Sequence, residues 1–473
     1  MPSDKPKEYC GLCGVVVGEN VLDRVHMGLH SLQHRGQEAA GVMASFGDHC
    51  LLHKDLGLVE QVFHRIPSSW FAEGQRIRRA IGHIRYGTAG GATAGNAQPL
   101  MVKMAGQTVG IAHNGTICNA VTLRRELSDE GALFQTTTDT ELILHLMSRA
   151  LTKRCRGDIW AALEEAVLKL KGAFSLLLLT DNGMAAVRDP YGFRPLAVGD
   201  FDDGAYIVAS ETIAFGVTGA SYVREVEPGE IIIWNSAGRM SSRRYAESPR
   251  LAHCVFEHVY FARPGSHVFG DSVYETRKEM GRVLAREAPV DADVIVPVPD
   301  SGIYAALGFA EESGIPLDMA LSRNHYVGRT FIDPGLKVSR KNLASRKLQP
   351  IPEAIKGKRI CLVDDSIVRG VTSRARVRTI REAGAKEVHM RVSCPPHRYG
   401  CYFGIDFPDR ESLLANKESE AGMRRALRLD SLAYLSKEGM LSCMKARKPE
   451  DFCCACFDGN YPVMPDQLDT RQM

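Results

Sequence analysis

Residues 360–373 read ICLVDDSIVRGVTS. An apolar run from Ile360 to Val363 stops on two adjacent carboxylates, Asp364 and Asp365. Ser366, Gly370, Thr372 and Ser373 follow, and the chain continues as RARVRTIREAGA. The stretch predicts strand, loop and helix. In sheets of alternating strands and helices, ligands gather beyond the carboxyl ends of the strands. Adjacent carboxylates there suit ribose hydroxyls or, through water, Mg²⁺. A turn rich in glycine and hydroxyls that opens a helix offers backbone N–H groups and a favourable dipole to a phosphate. Together these groups describe a phosphorylated ribose. A bare Asp-Asp pair is more often a solvated capped loop, but the full run V-D-D-S-I-V-R-G-x-T-S exceeds what that blander reading needs.

The neighbouring sequence extends the same pattern. DVIVPVPD (293–300) reads as a strand, SGIYAALGFAEESG (301–314) as a helix, and EVHMRVSCPP (387–396) as another strand. Strands alternating with helices predict a parallel sheet of βαβ units, an α/β second half. Between them lies a long, basic, weakly periodic stretch, SRNHYVGRTFIDPGLKVSRKNLASRKLQP (322–350). Loops of this length in compact domains are functional or mobile.

Before about residue 265 the pattern differs. GLCGVVV, AAGVMASF, RAIGHIRYGT, TVGIAHNGTI, AFSLLLLTD, AAVRDP, AYIVAS and EIIIWN read as strands. Val21, Val25, Leu29 and Leu32 form one helical stripe, and DTELILHLMSRAL and DIWAALEEAVLKLKG read as amphipathic helices. These elements come in blocks, which predicts layered α+β packing.

Bulk properties set limits. At 473 residues the chain should hold two to three domains of roughly 150 residues each. A composition of 44% hydrophobic and 24% charged residues suits a soluble globular protein. The net charge of +3 argues neither for nor against a nucleic-acid partner. No apolar run reaches the ~18 residues of a membrane span, and no signal core opens the chain. A cytoplasmic protein is expected. The 13 cysteines are odd in number and scattered, which disfavours a disulfide framework.

Two of those cysteines, Cys10 and Cys13, form a C-x-x-C behind the polar lead MPSDKPKEY. The spacing fits a zinc knuckle, a redox pair or a single reactive thiol waiting to be released. Strand alternation puts positions 10 and 13 on opposite faces, which makes a shared metal or a local disulfide awkward and marks Cys13 as a core thiol. Four stretches then stand out: CGLCGVV, GHIRYGT, HNGTI and TTTDTE. In this order they resemble the N-terminal-nucleophile glutamine amidotransferase family. The resemblance implies an αββα sandwich and makes residues 1–9 a propeptide. Cys10 becomes the nucleophile, and its freed α-amine, which ordinarily titrates at about 8, becomes the base. Asn114 and Gly115 match the oxyanion hole. Arg85 can fork onto a substrate α-carboxylate, Asp139 can pair with its α-ammonium, and Gly87 and Thr88 carry over as glutamine contacts.

The run from Val363 to Ser373 resembles the signature of type I phosphoribosyltransferases. PVPDSG fits the same family, with Asp300 and Ser301 on the diphosphate side and Ser301 matching a Mg²⁺ ligand. Asp364, Asp365, Ser366, Arg369, Gly370, Thr372 and Ser373 are then phosphoribosylpyrophosphate contacts, and Asp364 and Asp365 join Ser301 as Mg²⁺ candidates. Val371 departs from the usual Thr-Thr and removes one hydroxyl from the phosphate turn.

The two halves in this order are similar to the family of glutamine phosphoribosylpyrophosphate amidotransferases. HSLQHRGQEAAG, RNHYVGRTFIDPG, CVFEHVYFARPGS and CYFGIDFP extend the likeness from Cys10 to about Pro462. It implies a glutamine domain over 10–245, a phosphoribosyltransferase domain over 265–440 and a C-terminal tail over 441–473. Ammonia released at the first site would pass inside the protein to attack C1 at the second. Segment 324–348, with Tyr326 and Arg329, matches the family's closing loop. Cys254, Cys401, Cys453 and Cys456 match the positions that hold one [4Fe–4S] cluster per subunit in one branch of the family. Four thiolates are its expected ligand set, with zinc as the competing metal. Cys454 should point away, and Cys394 should be a buried thiol. Purine nucleotides as feedback inhibitors and a homotetramer are further implications; neither nucleic acid nor membrane is an expected partner. Two other readings fit the residues less well. A non-catalytic nucleotide sensor on this scaffold would have lost Cys10 or the Asp pair. A sugar-phosphate transaminating synthase would carry isomerase modules in place of VDDSIVRG.

Overall fold

The computed structural model describes residues 7–8, 10–72, 76–86, 93–324, 348–407 and 410–466. Gly87, Thr88, Tyr326 and Arg329, and nearly all of segment 324–348, lie outside the described residues.

In the first half, two antiparallel sheets face each other. One has seven strands in the order Ser221–Glu225, Ala197–Asp200, Tyr206–Ala209, Cys10–Val16, Arg79–Arg85, Ala39–Ser45, Cys50–Leu56. The other has six, in the order Met240–Arg244, Glu230–Trp234, Gly183–Arg188, Gly172–Thr180, Gln107–Ile117, Leu100–Met104. Central strands bury both faces, so they read as unbroken apolar runs. In Cys10–Val16, Leu12 and Val16 fill the core between the sheets, while Cys13 and Val15 fill the core under helices. Helices Val21–Ser31, Val59–Phe63 and Ile213–Thr218 cover the first sheet. Helices Ala120–Asp129, Thr140–Lys153 and Ile159–Val167 cover the second. The result is the expected αββα sandwich.

The edge strands escaped the sequence reading. Met240–Arg244 is exposed along its whole length and owes its conformation to pairing with Glu230–Trp234. Such a strand carries no apolar period to read.

The second half holds a four-stranded parallel sheet in the order Val294–Pro297, Arg359–Asp364, Glu387–Val392, Ser431–Tyr434. Helices Ile303–Ser313 and Val371–Glu382 follow the first two strands. Helix Val273–Glu287, which the sequence reading did not identify, packs against Ile303–Ser313. One continuous core runs from Cys254 to Phe457, and so includes residues on both sides of the sheet. The C-terminal tail returns to the junction: Phe452–Cys453 pairs in parallel with His253–Cys254, just ahead of a π-helical turn over Glu257–Phe261. At the other end of the chain, Lys7–Glu8 pairs antiparallel with Ile405–Asp406. Among the described residues, no helix is long and apolar enough to cross a membrane.

Candidate active site

Cys10 opens its strand and is buried, with 8% of its surface exposed. The register sets Cys10 opposite Arg85 and Leu12 opposite His83 on the neighbouring strand. The facing strand Gln107–Ile117 runs alongside in the same direction. Its Gly110 lies against Met43, which pairs with Ile81, and its His113 carbonyl lies 3.1 Å from His83 Nε2. Asn114 and Gly115 follow His113 on this strand.

Asn114 is fully buried, and neither its amide nitrogen nor its amide oxygen has a hydrogen-bond partner among the described residues. Native interiors seldom leave such a group unsatisfied, so an orphaned amide points to a ligand atom. Gly115 has φ +149°, and a Cβ there would lie 2.0 Å from the Ala173 carbonyl oxygen. Only glycine fits this approach.

Asp139 precedes helix Thr140–Lys153. Its Oδ2 accepts from the Ile117 N–H at 2.9 Å, and its Oδ1 lies 3.4 Å from His113 Nδ1. Burial alone would raise this carboxyl; His113 and the Ile117 amide outweigh it and hold the group below the ordinary carboxylate range. A carboxylate kept ionised beside Asn114 and Gly115 can receive an ammonium. Lys54, absent from the sequence reading, donates to the Ala97 carbonyl at 2.5 Å. Burial first, and then Arg85, pulls its ammonium down to about 8. Cys13 lies on the opposite face, wholly buried under helix Val21–Ser31, and burial pushes its thiol up to about 12. Such a thiol is inert.

In the second half, Asp364 ends its strand and Asp365 follows; both are fully buried. The Asp365 N–H donates to Asp364 Oδ1 at 3.0 Å, and Ser366 Oγ donates to Asp365 Oδ2. Arg376, one turn into the next helix, donates to Asp364 Oδ2 at 2.7 Å. Gly370 caps that helix with φ +75°, and Val371, Thr372 and Ser373 form its first turn. Ser373 is buried, Arg369 and Thr372 are half-buried, and Val371 is exposed. The departure from Thr-Thr therefore puts a methyl-bearing side chain into solvent. Asp300 and Ser301 lie on the adjacent loop after Val294–Pro297, with the Val298 N–H on the Val363 carbonyl at 2.9 Å; Asp300 pairs with Arg323. Asp300, Ser301, Asp364 and Asp365 thus converge at the carboxyl ends of adjacent parallel strands. Their oxygens are the hard donors Mg²⁺ prefers.

None of the 13 cysteines is joined in a disulfide. Cys254 sits opposite Cys453 in the parallel pairing of the tail. The Arg398 and Tyr399 N–H groups both donate to the Cys456 carbonyl at 3.1 Å, and the Phe403 N–H donates to Cys401 Sγ at 3.3 Å. Burial pushes the Cys453 and Cys456 thiols well up, and each feels Cys254 and Cys401. Among the described residues, no group of three or more His, Cys, Asp or Glu is arranged to hold a single metal ion. The four thiols nevertheless share one neighbourhood at the junction of the halves, with Cys254 and Cys456 buried and Cys401 and Cys453 half-buried. Cys118 also reaches it, its Sγ 3.6 Å from the Tyr402 carbonyl, and no sequence motif marked it. Cys454 is buried with Asp458 and Lys437 as its nearest charges, and Cys394 is buried with its Sγ on the Pro395 carbonyl.

Comparison with known proteins fits this geometry. A glutamine amidotransferase domain family matches residues 85–216. The chain is 43% identical to an amidophosphoribosyltransferase of Bacillus subtilis, over 96% of this chain and 94% of that one. It is 45% identical to an amidophosphoribosyltransferase of Archaeoglobus fulgidus, over 96% and 98%, and 43% identical to a chloroplastic one of Glycine max, over 99% and 81%. Among solved structures, it resembles the B. subtilis glutamine phosphoribosylpyrophosphate amidotransferase complexed with ADP and GMP, with TM-score 0.88, 41% identity and coverage of 97% and 98%. It also resembles an allosteric regulatory enzyme of purine biosynthesis, with TM-score 0.90, 41% identity and 98% of each chain covered.

Proposed function

The chain belongs to the amidophosphoribosyltransferases, and from that premise we propose that Cys10, once it is the first residue, is the nucleophile of the glutamine half. The overall reaction is that of the family: glutamine, water and phosphoribosylpyrophosphate give 5-phosphoribosylamine, glutamate and pyrophosphate, the first committed step of purine synthesis. The residue assignment is supported by the register that sets Cys10 opposite Arg85 and, above all, by the buried Asn114 amide, which has no hydrogen-bond partner among the described residues.

Removal of residues 1–9 frees the α-amine of Cys10, which takes the thiol proton as sulfur attacks the γ-amide carbon. Asn114 and the Gly115 N–H stabilise the oxyanion. Arg85 and Asp139, with Gly87 and Thr88, hold the α-carboxylate and α-ammonium of glutamine. The amine returns its proton to the departing ammonia, leaving a γ-glutamyl thioester that water hydrolyses to glutamate. Ammonia in open water at neutral pH is mostly protonated, so it must travel inside the protein. It attacks C1 of phosphoribosylpyrophosphate, and pyrophosphate leaves. Asp364 and Asp365 hold the ribose hydroxyls. Ser366, Arg369, Gly370, Thr372 and Ser373 hold the 5′-phosphate, and Asp300 and Ser301 the diphosphate. Tyr326 and Arg329 belong to the loop that closes over them.

Ser301, Asp364 and Asp365 would hold Mg²⁺, whose chemistry is to neutralise the diphosphate charge. Cys254, Cys401, Cys453 and Cys456 would hold one [4Fe–4S] cluster. Their shared neighbourhood supports this reading, because a four-iron cluster takes thiolates spread more widely than a single ion does. The reaction needs no electron transfer, so these cysteines serve to tie the tail to the junction. The separate hydrophobic cores support a division between a domain over 10–245 and the chain after it; a phosphoribosyltransferase domain over 265–440 and a tail from 441 are the bounds we propose there. Feedback by purine nucleotides is supported by the ADP and GMP in the B. subtilis structure. A homotetramer and a cytoplasmic location complete the proposal.

The test is an anaerobic preparation studied by intact mass, iron content and paired assays with glutamine and with ammonia. The expected protein begins at Cys10 and carries about four irons per chain. Cys10→Ala should lose glutamine-dependent turnover and keep ammonia-dependent turnover. Full glutamine-dependent activity with residues 1–9 still attached would overturn the amine-as-base mechanism, and an active iron-free protein would overturn the cluster.

A further inference from the structure

One buried ion cluster ties the walls of the glutamine pocket to the second half of the chain. Its members are Arg35, Glu211, Arg194 and Glu257, and none of their side chains is exposed. Arg35 Nη2 donates to Glu257 Oε2 at 2.6 Å, and Arg35 Nε donates to Glu211. Arg194 Nη1 donates to Glu257 Oε1 at 3.1 Å, and Arg194 Nη2 to the Gly404 carbonyl at 2.8 Å. Glu211 Oε2 accepts from the Arg263 N–H at 2.8 Å and from Ser266 Oγ at 2.7 Å. Two carboxylates and two guanidiniums balance, as buried charges must, and half-buried His34 closes the cluster with its Nε2 2.7 Å from Glu211 Oε1.

The cluster ends at two places that matter. Gly36, next to Arg35, lies flat on the backbone of Arg85, where a Cβ would come within 2.8 Å of the Arg85 nitrogen. Two residues on, the Glu38 N–H donates to the Arg85 carbonyl at 3.0 Å. At the other end, Gly404 has φ +103°, and a Cβ there would lie 3.3 Å from the Cα of Gly115. One carboxylate, Glu257, therefore grips the supports of both Arg85 and Gly115. Glu257 itself is set from the second half: Arg277, on helix Val273–Glu287, donates to the carbonyls of His258 at 2.7 Å and Ala262 at 2.9 Å.

We propose that Glu257 is a positioning residue for glutamine cleavage, holding the Arg85 wall and the Gly115 wall at the spacing that acyl transfer to Cys10 requires. The proposal rests on the assignment of Cys10, Arg85 and Gly115 above. Arg35 transmits the grip to the glutamine-binding wall, and Arg194 transmits it to the oxyanion wall.

The test uses the processed full-length enzyme. Glu257→Gln should lower glutamine-dependent turnover about 10²-fold, the size expected when an oxyanion donor is misplaced. Alkylation of Cys10 by a diazo-ketone analogue of glutamine, in which sulfur displaces N₂ while the ketone oxygen sits in the oxyanion hole, should slow in step. Alkylation of Cys10 by iodoacetamide, which needs no oxyanion hole, and ammonia-dependent synthesis should stay near wild type. Because Glu257→Gln leaves two guanidiniums short of charge and can fail to fold, Arg194→Lys supplies a second probe. It should lower the glutamine kcat about tenfold, the worth of one charge-assisted hydrogen bond, with KM for glutamine unchanged. Arg35→Lys should instead raise that KM. A wild-type rate of reaction with the diazo-ketone in both Glu257→Gln and Arg194→Lys overturns the proposal. So does a parallel loss of ammonia-dependent synthesis in Arg194→Lys, which would mark the cluster as merely structural. Neither result touches the assignment of Cys10, which the Cys10→Ala assay decides separately.

Discussion

The two candidate sites are built in opposite ways. In the glutamine half, the proposed residues Cys10, Arg85, Asn114 with Gly115, and Asp139 come from four separate segments, which sheet register and sheet stacking must bring together. In the phosphoribosyl half, Asp364 to Ser373 is one strand–loop–helix turn whose geometry is set by bonds between neighbours, Asp365 N–H to Asp364 and Ser366 Oγ to Asp365. The first site depends on packing over the whole sandwich. The second depends on a few contiguous residues. Their failures should differ too, because ammonia from either source must react at the second site.

Substitutions can break that contrast. The largest effect should come from Cys10→Ala, which should abolish glutamine-dependent turnover while ammonia-dependent turnover continues; equal loss of both would erase the distinction. Next, Asn114→Ala should lower the glutamine kcat by about 10²–10³-fold, as for removal of one oxyanion donor, again sparing ammonia. Asp365→Asn should instead cut turnover with both nitrogen sources to the same extent, by about tenfold to 10²-fold, the range for a charged hydrogen bond to substrate. Arg376→Met frees Asp364 from its 2.7 Å partner and should raise KM for phosphoribosylpyrophosphate about fivefold, as for loss of roughly 1 kcal/mol. The smallest effect belongs to stability. Lys54 titrates near 8 in the folded protein, against an ordinary value of 10.5. Between those values the unfolded chain holds a proton that the folded chain lacks, so stability should rise with pH across that window. Denaturant melts from pH 7.5 to 10.5 should show wild type gaining stability relative to Lys54→Met across that window, since buried thiols such as Cys13 titrate alike in both.

The contrast also explains what could be read. The turn at 360–373 was legible because strand, carboxylates, glycine and helix follow one another, and its geometry is local. Cys10 and Cys13 show the opposite case. Their spacing suggested a joint site, but a strand sends the two side chains to different faces, and Cys13 goes into the core under a helix while Leu12 and Val16 go between the sheets. Helix Val273–Glu287 went unread because its composition is mostly polar and its buried stripe of Val273, Met280 and Leu284 is thin. Arg376 carried no signal, since an arginine one turn into a helix is ordinarily solvated.

The sequence by itself determined the order of the two halves, their fold classes, the phosphoribosyl turn and the residue types of the glutamine pocket, because hydrophobic period and contiguous motifs act over short distances along the chain. Only the tertiary structure decided that Asn114 keeps an unpartnered buried amide, that Asp139 is held ionised by His113, and that Glu257 binds Arg35 across 222 residues of chain. Those contacts are products of burial and register. A buried charge must find its counter-charge wherever the fold brings one within reach.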